Sequence, residues 1–134
     1  MRYLLDTNVV IDILRGNQNV TQRYQIETIK KSKIFTCPIV HYEILRGFTL
    51  GGATKKLENF LKLRKNWTML IFDEEVAKKA ANIYLHLHKG QTIEDNDIYI
   101  AALAMVNGCT LVTANVRHLS RVEGLNFVDW RSHD

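Results

Sequence analysis

Three carboxylic acids stand out for the residues that surround them. Asp6 ends a short apolar run, RYLL, and Glu43 lies inside the apolar segment PIVHYEIL. Asp97 belongs to DNDIYIAALAMVN, a stretch rich in alanine and branched apolar residues. At helical spacing Glu43 neighbours Ile39 and Gly47, and Asp97 neighbours Ala101 and Ala104, so neither sits on a solvated charged stripe. A carboxylate on a buried face is costly unless it is paired, hydrogen-bonded or bound to a cation. Three of them drawn together repel one another, and a cation among them relieves that repulsion. Hard divalent cations such as Mg²⁺ take oxygen ligands, commonly one or two carboxylates completed by water and a substrate phosphate. The chemistry within reach of such a set is metal-assisted hydrolysis of a phosphodiester. Asn115, just past the apolar run TLVT, adds a fourth polar group.

Plainer readings stay open for each residue. Asp6, followed by Thr7 and Asn8, suits the cap of a helix, and Asp97 suits a cap or a partner for a helix dipole. Glu43 has Arg46 within reach on the same helix, and Asn115 suits a turn. Asp12, Glu94 and Asp95 read as solvent-facing or capping. Other chemistries lack their residues. Cysteine and histidine spacings for zinc are absent, and His86 and His88, two apart, point to different sides of a helix. The chain has no glycine-rich phosphate loop, no GxSxG and no second aspartate two positions after Asp6.

The elements that must position these groups follow from periodicity and breakers. Strands are predicted over 2–5, 33–37, 68–72, 110–113 and 126–128, each a short apolar run. Helices are predicted over 8–14, loosely over 18–31, then from Pro38 to the Gly51-Gly52 pair, over 54–65, 74–89 and 95–107. Pro38 fits the first helical position, where no N–H is needed. Asp73 fits an N-cap, with Glu74 and Glu75 favoured in the first turn. Residues 114–118 read as a polar loop. Strands alternating with helices predict a mainly parallel sheet covered on both faces, with ligands beyond the C-terminal strand ends. Asp6 and Asn115 both fall at such ends.

The whole chain agrees with this picture. Its 134 residues suit a single domain, 1–134, and 46% hydrophobic with 24% charged residues is the profile of a globular protein. No repeat, linker or low-complexity stretch appears. No apolar run approaches the roughly 20 residues that span a bilayer, and no signal-peptide core precedes Asp6, so the expected location is the cytoplasm, without a membrane. Cys37 and Cys109 lack metal-ligand spacing and read as buried thiols. A net charge of +4 favours polyanions without proving that one binds. The 54–65 helix carries Lys55, Lys56, Lys62, Arg64 and Lys65, either a solvated face or a contact for an RNA backbone.

The strings LLDTN, PIVHYEILRG, DNDIYIAALAMVNG and TLVTANVRHLSRVEGLNFVDW, in that order, resemble the PIN-domain family. Among its members they are most similar to VapC-type toxins of toxin–antitoxin pairs, over nearly the whole chain. The resemblance implies a three-layer α/β/α fold around a central, mainly parallel sheet of four to five strands. It also implies a Mg²⁺- or Mn²⁺-dependent endoribonuclease acting on RNA, with a cognate antitoxin as partner, and either a homodimer or a hetero-oligomer with that antitoxin. It carries the family's acidic set onto Asp6, Glu43 and Asp97 as catalytic and metal-holding residues. Asn115 falls at a fourth catalytic position that is acidic in many members; a neutral oxygen can still coordinate, but a second metal is then weakly held or absent. Thr7, Asn8 and Thr113 match polar positions that orient the ligands from behind. Cys37 replaces a frequent capping Ser or Thr. Arg46, one turn after Glu43, is placed to meet an acidic group of the antitoxin. The alternatives are a catalytically impaired module that binds nucleic acid with its antitoxin, and a nuclease directed at DNA.

Overall fold

The computed structural model describes residues 1–88 and 90–132. Its strands are β1 (Arg2–Leu5), β2 (Lys33–Thr36), β3 (Thr68–Met69), β4 (Thr110–Val112) and β5 (Phe127–Val128). Its helices are α1 (Thr7–Arg15), α2 (Gln18–Ile29), α3 (Pro38–Leu50), α4 (Thr54–Arg64), α5 (Glu74–Leu85), α6 (Asp95–Val106) and α7 (Val116–Leu119). The strands form one sheet in the order β3-β2-β1-β4-β5, and every pair is parallel. No helix among the described residues is long and apolar enough to cross a membrane.

The order of the strands dictates where the helices go. From β1 the chain steps outward to β2 and β3, then returns across the sheet to β4 and β5. Right-handed crossovers therefore place α1 to α4 on one face and α5 and α6 on the other. The contacts follow that division: α1 packs on α2, α3 and α4, while α5 packs on α6. The result is the three-layer α/β/α arrangement expected from the sequence. β1 lies at the centre, and Leu4, Leu5, Leu111 and Val112 on it and β4 are fully buried. In α6 the buried run 100–104 includes Ala101, Ala102 and Ala104, so this helix seats closely on the sheet.

Local signals acted where the sequence placed them. Pro38 opens α3, and Asp73 caps α5 by accepting from the Val76 N–H at 3.0 Å. Cys37 and Cys109 are buried, unpaired thiols. Four details differ. β3 covers only Thr68–Met69 of the expected 68–72: after the Leu70 N–H donates to Thr36, the chain leaves the sheet edge with Ile71 and Phe72 exposed. α5 ends at Leu85, where the His86 backbone caps it, and the expected end at 89 lies outside the described residues. The expected loop at 114–118 contains the short helix α7. Asp12, expected at the surface, is buried in a bidentate ion pair with Arg131, at 2.6 and 2.9 Å. Beside that pair Trp130 meets Tyr3 of β1 edge to face, with ring centroids 5.3 Å apart.

The Asp12 side chain is 12% exposed against 47% for Arg131, so removing the arginine strands a largely buried charge. Arg131→Met is expected to cost about 1–2 kcal/mol in urea unfolding at pH 7, between the values for exposed and buried pairs. Lys78→Met, which breaks the fully solvated Lys78–Glu74 pair (78% and 86% exposed), is expected to leave the midpoint unchanged within error.

Candidate active site

β1 pairs with β2 on one side and β4 on the other, so the chain departs in opposite directions from its two neighbours. A crevice opens at such a point beyond the C-terminal strand ends. Asp6 occupies it. Its backbone is still extended (φ −71°, ψ 160°) while its carbonyl already accepts from the N–H groups of Val9 and Val10, so it ends the strand and caps α1 at once. Its Oδ1 accepts from the Thr7 N–H at 2.8 Å, and its Oδ2 accepts from the Thr113 hydroxyl at 2.8 Å. The residue is only 4% exposed.

The remaining groups join Asp6 through a continuous set of hydrogen bonds. Glu43, on α3, accepts from the Thr7 hydroxyl at 2.9 Å. Its suggested partner Arg46 turns away, with the guanidinium 5.0 Å from the Tyr42 ring centre and a hydrogen bond donated to the Tyr42 hydroxyl. On the other side the Thr113 hydroxyl accepts from the Asn115 N–H at 3.0 Å. The Asn115 amide donates through Nδ2 to Asp97 Oδ2 at 3.1 Å, in the first turn of α6. Asn8 fixes this turn by accepting from the Ala114 N–H at 3.1 Å. Glu43, Thr7, Asp6, Thr113, Asn115 and Asp97 thus form one chain of contacts drawn from four separate segments. Each candidate named from the sequence lies in it or braces it.

The electrostatics are those of acids held too close in too little water. Burial lifts the Asp6 carboxyl from its ordinary 3.8 to about 6; the bonds from Thr113 and Thr7 oppose the rise, and Asp97 and Glu43 add to it. Asp97 is also shifted upward, first by burial and then by Glu94 and Glu43, against His118 and Asn115. The Cys37 thiol is pushed up to about 11 by burial, with the same carboxylates of Asp6 and Glu43 contributing, so it stays neutral.

A divalent cation fits this donor set. Among the described residues no three His, Cys, Asp or Glu side chains close into a ready-made cage. Mg²⁺ does not require one, since it retains waters and takes few direct carboxylates. The donors are oxygens throughout, and the upward shifts of Asp6 and Asp97, set first by burial and added to by neighbouring carboxylates, are ones that a cation would relieve.

The PIN-domain family model matches residues 3–125. The chain belongs to the PIN-domain family. In sequence the PIN chain is similar to Ribonuclease VapC1 from Rickettsia felis, at 30% identity over all of both chains. Ribonuclease VapC1 from Haemophilus influenzae is 24% identical over 97% of this chain and 98% of its own. Among solved structures, VapBC2 from Rickettsia felis bound to a DNA fragment from their promoter superposes with a TM-score of 0.85 at 22% identity, covering 97% and 99% of the two chains. In this PIN chain the sequence reading overlooked one neighbour of the site. His118 Nδ1 lies 2.7 Å from Asn115 Oδ1. With 114–118 read as loop, the helical spacing of three between Asn115 and His118 carried no meaning.

The sign of the Asp6 shift makes a prediction for the protein in EDTA. The folded state keeps the Asp6 proton up to about pH 6, the unfolded state only to about 3.8, so stability falls as pH rises through that window. A shift of this size corresponds to roughly 3 kcal/mol. Asp6→Asn is expected to raise the melting midpoint by several degrees at pH 8 and to change it little at pH 4. A midpoint at pH 8 equal to wild type, measured calorimetrically, would contradict a strained carboxylate.

Proposed function

We propose that this protein is the endoribonuclease toxin of a type II toxin–antitoxin pair, hydrolysing RNA phosphodiesters with Mg²⁺ or Mn²⁺. The observation that carries the reading is the convergence of Asp6, Glu43 and Asp97 at the strand switch point, with upward shifts on Asp6 and Asp97. Support comes from relatives named as ribonucleases along the full length of the chain. The partner is an antitoxin protein, as in the VapBC structures, and the working assembly is a homodimer or a complex with that antitoxin in the cytoplasm.

Asp6 and Asp97 are the direct ligands in this reading, and Glu43 holds the cation directly or through water. A cation bound there supplies a polarised water and neutralises charge building on the phosphate. The chain's own groups do the rest. Thr113 and Thr7 fix both oxygens of Asp6, so its lone pairs have one orientation. Thr7 engages Glu43 Oε1, and in this reading the other oxygen, without a hydrogen-bond partner among the described residues, accepts a proton from water. Asn115 contributes no charge, so the site carries three formal negative charges and holds a single cation firmly.

The test is cleavage of total cellular RNA with end-mapping, for wild type and Asp97→Asn, in Mg²⁺, Mn²⁺ or EDTA. Discrete cuts that need metal and fall at least about 100-fold in the variant are expected. A folded wild type that binds divalent metal and cuts no RNA, or an Asp97→Asn protein of unchanged rate, would overturn the proposal.

A further inference from the structure

Asn115 stands between an acid and an imidazole, and its two ends differ. An ionised carboxylate only accepts hydrogen bonds, so the amide must present Nδ2 to Asp97. Its Oδ1 then faces His118 Nδ1 at 2.7 Å, and an amide oxygen also only accepts. The proton of that bond must reside on His118 Nδ1. With the amide flipped, Oδ1 would face Asp97 Oδ2, oxygen against oxygen. His118 is itself held in place: Leu119 beside it is fully buried, and α7 is closed by the Leu119 N–H donating to the Asn115 carbonyl at 3.1 Å.

We propose that His118 is a positioning residue of the site: through Nδ1–H it locks the Asn115 amide with its donor toward Asp97, and so sets the direction in which the Asp97 carboxylate faces a cation. The inference rests on the function proposed above for the role of Asp97. It goes beyond that reading in making Asn115 a clamp, since both ends of its amide are engaged and its oxygen is turned from the acids. A donor at position 118 is the requirement, because a donor there holds the amide oxygen and reinforces the orientation that the Asp97 carboxylate selects.

The first test needs no metal and no substrate. In the ¹⁵N-labelled full chain in EDTA at pH 8, the His118 ring is expected to carry its proton on Nδ1, with Nε2 bare. A ring protonated on Nε2 alone would overturn the proposal. The second test measures Mn²⁺ binding by electron paramagnetic resonance, and RNA cleavage, in His118→Ala, His118→Gln and His118→Asn. The Asn amide nitrogen lies two bonds beyond Cβ, as Nδ1 of histidine does, whereas that of Gln lies one bond further. The Ala and Gln variants are expected to lose about 10-fold in Mn²⁺ affinity and in kcat with KM unchanged, and the Asn variant to recover most of both. Wild-type Mn²⁺ affinity in the Ala variant would overturn the proposal. So would equal losses in all three, because these would mark a packing role. Should the wild type cut no RNA at all, the proposed function fails, while the tautomer and the Mn²⁺ affinities still decide the role of His118.

Discussion

Asp6 keeps a carboxylate almost wholly out of water at the end of the central strand, and that burial constrains everything around it. Among the described residues no cation stands beside it. Its two oxygens are instead tied to one N–H from its own helix start and one hydroxyl just past β4, more than a hundred residues away. For those donors to arrive, α1 must begin immediately after β1, and β4 must lie against it in register, Leu5 opposite Val112. The same Thr113 that serves Asp6 fixes the Asn115 backbone, and the same Thr7 whose N–H donates to Asp6 reaches Glu43 through its hydroxyl. Sheet order, helix start and site geometry are therefore one arrangement seen at three scales.

The donors offset only part of the burial, and the shortfall shows as a carboxyl that gives up its proton late. Such residual destabilisation at a site is tolerable because the core around it is predominantly apolar. Leu4 and Leu5 on the strand that carries the acid and Leu111 and Val112 on the strand beside it are fully buried, and α6 covers one face with alanines that approach closely. The fold supplies the stability that the site gives away.

Much of this was legible beforehand, for physical reasons that differ by residue. The buried parallel strands read as continuous apolar runs because both their faces are covered. Pro38 and Asp73 marked helix starts because their chemistry suits few other places. The acids were conspicuous because a charge on an apolar face needs a partner. What stayed hidden depended on distant pairing. TMLIF is apolar throughout, and only its position at a sheet edge shows that pairing ends at Met69. Asp12 looked like any charge on an amphipathic helix until Arg131 closed on it from 119 positions away. His118 had no legible role, because α7 is too short for periodicity to announce it.

The bond between Asp6 and Thr113 spans 107 positions, and this has a consequence for the birth of the molecule. Synthesis delivers Asp6 ahead of its partner hydroxyl by 107 residues, at a pace slow compared with the closing of local structure. Until residues 113–115 have emerged, β1 has β2 beside it but an open flank where β4 belongs, and neither Asp97 nor Asn115 has anything to lean on. A growing chain therefore makes the whole stretch from Asp6 to Thr113 without the constellation that the finished one presents. A protein whose proposed substrate is the class of molecule its own message and ribosome are made of thus assembles its proposed site only after more than a hundred further residues have followed Asp6 out of the ribosome.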